Sequence, residues 1–401
     1  MKEYLYENFR ILAQTPKGNT DVSRFDEAAA ERALRFHRSL PDYRRTDLVK
    51  LAYAAERYGV DSIFVKDESS RFGLKAFKGL GGSYCMFRIL CEKLGLDADA
   101  ADYSSFSDDR IRKACSSITF ATATDGNHGK GVSWAAKIFG CRAHVFMPKG
   151  TVEARRRAVE EAGSATAEIT EMNYDETVRY ASRLAEQNGW VLIQDTAWDG
   201  YEKIPGWIIE GYLTMAAEAE AQMGAKKPTH IFLQAGVGSM AGGVAAYFIH
   251  RAADQMPHVT IVEAEGSDCI YQSAKKMDGQ IHTVSDECRT IMAGLNCGTP
   301  CKTVWPVLRD CSGFYCACKD CITEAGMRAY ASPLAGEIST VISGESGAVT
   351  YGLLLEILRS QELRQLFRID CNSVILLFNT EGDTDPEDYA RVIGKKPATD
   401  I

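Results

Sequence analysis

No run of this chain is apolar for the length a bilayer requires, so the sequence offers no membrane span. No run is basic either. Lys and Arg number 46 against 54 Asp and Glu, a formal net charge of −8, which argues against a nucleic-acid partner. The first residues, Met1-Lys2-Glu3-Tyr4-Leu5-Tyr6-Glu7-Asn8, carry charge where a signal peptide would be apolar. Internal repeats and low-complexity linkers are absent. A cytosolic globular protein is expected. Its 401 residues, 45% apolar and 25% charged, suffice for two lobes.

Cysteine is not scarce. Thirteen are scattered through the chain, and in a reducing compartment most are expected to be buried thiols. Cys311, Cys316, Cys318 and Cys321 form the one cluster to weigh as a metal site. Zinc wants close ligand pairs on turns. Phe314-Tyr315-Cys316-Ala317-Cys318 reads instead as a strand, with Cys316 and Cys318 on one face, so no metal is expected.

The first forty-odd residues read as polar and irregular, with a turn at Gly18-Asn19. Residues 47–58 carry helical periodicity, and Ser62-Ile63-Phe64-Val65 is a buried strand. Tyr84 to Leu94 is apolar enough for a buried helix. Between Ile118 and Asn188, strands and helices alternate with short connections, which predicts a small parallel sheet. Pro205 suits the start of a long helix reaching Met223. His230–Leu233, Val259–Val262 and Ser373–Phe378 are further buried strands. The expected class is α/β. Residues 1–83 and 189–401 would form a large domain, and 84–188 a small one. Each would hold a mainly parallel twisted sheet flanked by helices.

Three stretches carry chemistry. Phe72-Gly73-Leu74-Lys75-Ala76-Phe77-Lys78-Gly79-Leu80-Gly81-Gly82-Ser83 places a lysine where a glycine-rich loop turns into a helix. A lysine held there can be partly desolvated, which favours a free amine. Thr124-Asp125-Gly126-Asn127-His128-Gly129 follows a strand, and so does Gln234-Ala235-Gly236-Val237-Gly238-Ser239-Met240. The second glycine loop suits a phosphate, since small residues let backbone N–H groups approach and the next helix adds its dipole. Alone, Gly236-x-Gly238-x-x-Ala241 also fits a dinucleotide fingerprint, with Glu263 and Glu265 after it. That leaves an NAD-dependent oxidoreductase as a rival, though one that explains neither the lysine nor the Asn turn.

In this order the three stretches resemble the tryptophan-synthase-like (fold type II) family of pyridoxal-phosphate enzymes. Phe64-Val65-Lys66-Asp67-Glu68-Ser69, Gly73 to Lys78, Gln194-Asp195-Thr196-Ala197-Trp198 and Asn379-Thr380-Glu381-Gly382-Asp383-Thr384-Asp385 are similar to its diaminopropionate ammonia-lyase branch. The resemblance covers nearly the whole chain and implies pyridoxal 5'-phosphate as cofactor. It implies that Lys78 is the Schiff-base lysine, with Lys66, Lys75 and Lys130 as rivals. Gly236, Val237, Gly238, Ser239 and Met240 would hold the phosphate, and Asn127 the cofactor 3-oxygen. Glu345 would line the cofactor pocket. Asn379 or Thr380 would meet the pyridine nitrogen, with Thr380 preferred. Asp125 and Asp195 would face a substrate carrying a second amino group; otherwise each caps the next helix. His128 reads equally well as a satisfied turn histidine. Lys78, Asp125 and Asp195 are thus the catalytic set. The implied reaction is α,β-elimination of 2,3-diaminopropionate, L and D, to pyruvate and ammonia. A serine or threonine dehydratase on the same scaffold is the alternative. A homodimer acting on a small amino acid is implied. Cys269 and Cys297 lie in segments that would border the cofactor, and spacing does not decide whether they pair.

Overall fold

The structure is a computed structural model that describes residues 1–17, 20–252, 255–284, 290–332 and 340–394. The turn expected at Gly18-Asn19 lies outside them. The chain divides into two compact units. The first takes Met1–Asp26, Arg45–Ser70 and Glu218–Ile401, and the second Glu27–Arg44 and Arg71–Ala217. The dividing points therefore fall away from the expected 83/84 and 188/189. The reason is packing: the helix Lys78–Leu94 runs against the helix Asn127–Phe139 and against Ile208 and Tyr212, so it is held with the smaller sheet.

Among the described residues twelve strands are numbered in chain order: β1 (Lys2–Leu5), β2 (Phe9–Ala13), β3 (Leu48–Lys50), β4 (Ser62–Asp67), β5 (Thr119–Ala123), β6 (Arg142–Met147), β7 (Ala165–Ile169), β8 (Val191–Leu192), β9 (His230–Gln234), β10 (His258–Ala264), β11 (Ser312–Cys318) and β12 (Val374–Asn379). In the first unit eight strands run in the order β1-β2-β11-β10-β9-β12-β4-β3. The five central strands are parallel, and β1, β2 and β3 are antiparallel edges. The central strands are continuous apolar runs buried on both faces, as a parallel sheet under helices requires. In the second unit four strands run β7-β6-β5-β8, all parallel. Among the described residues no helix is long and apolar enough to cross a membrane.

Three expectations change. The N-terminal residues are not irregular: β1 and β2 form a hairpin that extends the large sheet along β11, and Glu27–Ser39 is a helix. That helix buries Ala29, Ala30, Ala33, Phe36 and His37, a stripe masked in the sequence by charged neighbours. Residues 48–50 are an edge strand paired with β4, and the helix after them starts only at Ala52. Finally, the glycines after Lys78 are helical, not loop: the helix begins at Lys78. Glycine there costs helix propensity but permits close approach. A Cβ on Gly82 would sit 3.2 Å from the Gly131 backbone. A Cβ on Gly131 would sit 2.9 Å from the carbonyl carbon and oxygen of Lys78.

The crossing of these two helices thus fixes the lysine backbone. Overpacking a tight contact typically costs about 1–3 kcal/mol, and Gly131→Val should lower the unfolding free energy by about that amount. Urea denaturation of the variant against the parent checks it. An unchanged midpoint would mean that the crossing relaxes freely and does not fix Lys78.

Candidate active site

In the second unit the turn before Lys78 is strained. Phe72, Gly73 and Lys75 all adopt positive φ (52°, 70° and 55°), a region that side chains other than glycine rarely enter. The turn is held by Phe72, stacked on Trp134 with ring centroids 4.3 Å apart, and by Lys130, whose Nζ donates to the Leu74 carbonyl at 3.1 Å. Lys78 then opens its helix. Its Nζ lies 5.3 Å from the Phe77 ring and 5.8 Å from the Tyr212 ring, and donates to Asp195 Oδ2 at 2.5 Å. Its side chain is 19% exposed, so the amine sits at an accessible edge and not in a sealed core.

The other lysines are placed differently. Lys75 is exposed. Lys66, in the first unit, is fully buried, and its amine donates to Glu218, the Thr46 carbonyl and Gln222 at 2.7, 2.7 and 2.9 Å. Those three partners match the three protons of an ammonium, so Lys66 is a structural ion pair.

The two aspartates follow neighbouring parallel strands. Asp125 comes just after β5 and Asp195 just after β8, and these strands pair. Neither caps a helix. The helix Asn127–Phe139 has no side-chain cap at Gly126, and its early N–H groups at Gly126 and Gly129 go to Thr124 Oγ1. The next helix after Asp195 begins only at Lys203. Burial pushes the Asp125 carboxyl up to about 7, with Arg155 opposing and Asp195 adding to the rise. Burial alone would also raise Asp195, but Lys78 and then His128 outweigh it and hold that carboxyl at about 2. The pair therefore differs in charge near neutral pH. Asn127 is the first residue of its helix and half-buried. His128 is buried beside Asp195.

The sequence reading gave Gln194 and Tyr201 no role, yet they set the two strand ends. The Gln194 amide accepts from Thr122 Oγ1 and the Ala123 N–H at 3.1 Å each, and donates to the Ala123 carbonyl and Tyr174 at 3.0 Å each. Its backbone N–H goes to the Tyr201 hydroxyl, which donates to the Leu192 carbonyl, both at 2.9 Å. Only the position of Gln194 between an apolar strand and an aspartate hinted at it.

In the first unit the relevant groups lie at the carboxyl edge of adjacent parallel strands β9, β12 and β4. Gly236 to Met240 follow β9. Gly238 has φ 87° and leads directly into the helix Ser239–Arg251, which has no side-chain cap. A left-handed glycine before an uncapped helix start is the arrangement that turns successive N–H groups to an anion. At β12 the question left open between Asn379 and Thr380 gains a physical argument. The Asn379 amide donates to Asp67 Oδ1 and the Ile342 carbonyl, at 2.8 and 2.9 Å, so both its N–H bonds are spent. Thr380 Oγ1 accepts from Gln234 at 2.8 Å, which leaves its own proton to be donated elsewhere. Glu345 opens the helix Glu345–Arg359, and burial, then Glu381, pushes its carboxyl up to about 8.

The dinucleotide reading fails here. Glu263, which would meet a ribose, is fully buried, and its two oxygens accept the N–H groups of Ile270 and Tyr271. Glu265 pairs with Arg10 at 3.5 Å. Cys269 and Cys297 both lie beside Gly236 and are not joined by a disulfide. Cys316 and Cys318 are buried on β11, as the strand reading required.

A lysine amine beside a carboxylate, an anion-binding glycine turn and a strand-end hydroxyl are what a phosphorylated aldehyde cofactor asks of a protein. The residues in each unit suit their own part of that group, and each set lies at the strand ends of its own sheet. The chain belongs to the pyridoxal-phosphate dependent enzyme family, whose model matches residues 40–369, and pyridoxal 5'-phosphate is its cofactor. It is 45% identical over 366 residues to the diaminopropionate ammonia-lyase of Salmonella typhimurium, covering 90% of each chain. Among solved structures it is similar to selenomethionine-incorporated holo diaminopropionate ammonia-lyase of Escherichia coli, with TM-score 0.89, 42% identity, and 97% and 98% of the two chains covered. It is similar also to that enzyme in complex with an aminoacrylate–pyridoxal-phosphate azomethine reaction intermediate, with TM-score 0.87, 43% identity and 96% of each chain covered.

Gln194→Leu would remove four side-chain hydrogen bonds, two of them from the backbone of Ala123 at the end of β5. An unsatisfied buried group costs roughly 1–3 kcal/mol, so the unfolding free energy should fall by at least about 2 kcal/mol. Denaturant titration measures this. A loss below about 1 kcal/mol would show that the two strand ends hold without the glutamine.

Proposed function

We propose that this protein is an ammonia-lyase that eliminates the side-chain amine of 2,3-diaminopropionate. Lys78 would hold the cofactor through its amine, the Gly236–Met240 turn its phosphate, Asn127 its 3-oxygen and Thr380 its ring nitrogen. Glu345, protonated near neutral pH, would line the pocket. When bound, pyridoxal phosphate supplies an electron sink that acidifies the substrate's α-carbon. The chain's own groups do the rest. With substrate bound, the Lys78 amine removes the α-proton of the L isomer. Asp125 removes that of the D isomer. Asp195, held ionised, grips the side-chain ammonium, which leaves as ammonia. The three-carbon enamine released hydrolyses to pyruvate and a second ammonia.

The observation that carries this reading is the pair of strand-end carboxylates, one raised to about 7 and one held at about 2, with an alkylammonium on the second. An enzyme for hydroxy amino acids has no need of an acid placed to grip a cation. The similarity to diaminopropionate ammonia-lyases over 90% of the chain supports the same assignment. We propose further that the enzyme works in the cytosol as a homodimer on a small amino acid, with no nucleic-acid or membrane partner. The small domain would span 84–188 of the sequence-based division, or the wider second unit of the fold.

Borohydride reduction of the holoenzyme followed by peptide mapping should fix the cofactor to Lys78. Lys78→Ala should abolish turnover while remaining folded. Label on Lys66, Lys75 or Lys130 would move the cofactor lysine elsewhere.

The Asp125 base must be ionised to act. Pyruvate release from the D isomer should therefore fall as pH drops through about 7, an acid limb that Asp125 does not impose on the L isomer. A general base contributes roughly 10²–10⁴-fold, so Asp125→Asn should cost D turnover about that factor and L turnover much less. Equal loss on both isomers would make Asp125 a binding group only. A parent enzyme silent on both isomers but active on serine or threonine would leave the dehydratase reading.

A further inference from the structure

Beside Asp195 lies a buried side chain that the mechanism above leaves unused. His128 is only 4% exposed. Its Nε2 stands 3.0 Å from the Ile193 carbonyl, which can only accept, so Nε2 carries a proton. In the neutral ring that leaves Nδ1 with a lone pair and no hydrogen. Nδ1 is buried and has no hydrogen-bond partner. It lies 3.8 Å from Asp195 Oδ2, the oxygen that also receives the Lys78 ammonium. Two acceptors therefore point at one small region, where a buried polar atom without a partner asks what fills the place.

Building on the proposed ammonia-lyase reading, we propose that His128 Nδ1 and Asp195 together receive the substrate's side-chain ammonium. The contact already present names the chemical class. Lys78 Nζ is a primary alkylammonium seated on Asp195, and the substrate's side chain ends in the same group. With the Lys78 amine neutral and free to act as base, the substrate's ammonium takes its place on Asp195. It has three N–H bonds, enough to serve the carboxylate and Nδ1 together. Burial favours the neutral ring, against the pull of Asp195.

The step balances without a proton donor. The α-proton passes to the base, and the α-carbon pair forms the new carbon–carbon double bond. The carbon–nitrogen bond breaks, its electron pair stays on nitrogen, and the ammonium departs as neutral ammonia. A hydroxyl fares worse at the same place. It has one proton for two acceptors, so one of them goes unserved, and it needs a further proton to leave as water. The histidine thereby selects amine over hydroxyl leaving groups.

Two variants of the holoenzyme separate this role from a structural one. His128→Gln keeps an amide N–H that reaches the Ile193 carbonyl but has no atom at the Nδ1 position. His128→Asn keeps an acceptor near that position and loses the Ile193 bond. The readout is kcat/KM for diaminopropionate divided by kcat/KM for β-chloroalanine, whose chloride leaves without a proton or an N–H contact. Losing a hydrogen bond to a charged group corresponds to roughly a 10–100-fold effect, and His128→Gln should lower the ratio by that much. His128→Asn should keep the ratio within about threefold and instead lower the melting temperature. An unchanged ratio in His128→Gln, or a collapsed ratio in a folded His128→Asn, overturns the assignment. A parent enzyme that processes β-chloroalanine but not diaminopropionate overturns the functional reading and this assignment with it, a pattern distinct from either variant result.

Discussion

The second unit is built around one charge pair, the Lys78 ammonium on the Asp195 carboxylate. Taking two charges out of water is costly, and their attraction offsets that cost only when geometry holds them together. Here the holding is visible on both sides. The lysine backbone is set by a helix crossing so close that Gly131 has no room for a methyl group. The aspartate is set by a strand end pinned through Gln194 and Tyr201. The first unit contains an instructive contrast in Lys66. That amine is also paired with a carboxylate, but all three of its protons find protein partners in full burial. Lys78 sits on the Asp195 carboxylate near two aromatic rings, with part of its side chain accessible. The same side chain is inert in one setting and available for exchange in the other.

The aspartates repeat the lesson with opposite sign. Asp125 and Asp195 follow adjacent strands of one four-stranded sheet, and burial acts to raise both. Asp195 has a cation in contact and stays ionised. Asp125 has only the more distant Arg155 and Lys78, and a negative neighbour besides, so its proton is held to near neutral pH. One residue type is thus held ionised at one strand end and raised to near neutral pH at the other, with the Lys78 contact the first of the groups that make the difference.

How much of this was legible in the sequence follows from how local each signal is. The buried parallel strands announced themselves as short apolar runs, and β4, β5, β6, β9, β10 and β12 all lie where such runs occur. The candidate residues stood out because parallel sheets put function at strand ends, and Asp125, Asp195, Gly236 and Thr380 do follow strands. What failed was what packing alone decides. Gly79, Gly81 and Gly82 looked like loop because glycine is a poor helix former. They are helical because Tyr212 and Gly131 press against them, which no local pattern records. The edge strand at 48–50 was lost inside a helical periodicity that continued past it. Gln194 was unreadable for a related reason: its importance is a count of hydrogen bonds to residues 20 and 71 or 72 positions away.

The chemistry of the strand ends bears on which leaving groups such a site can release. A group that departs with the bonding electrons must be stable with them. Chloride is, ammonia is, and hydroxide is not unless a proton arrives with it. Around Asp195 the protein offers acceptors: a carboxylate held far below neutrality and a histidine that burial keeps uncharged. The proton that Asp125 retains near neutral pH is needed off, not on, for that residue to act as a base. A pocket of acceptors suits a leaving group that brings its own protons, and an ammonium does so while a hydroxyl does not. Selectivity for the amine then needs no steric device to exclude serine, an isostere of similar size. On the proposed reading it follows from the protons the leaving group brings to two acceptors, three on an ammonium and one on a hydroxyl.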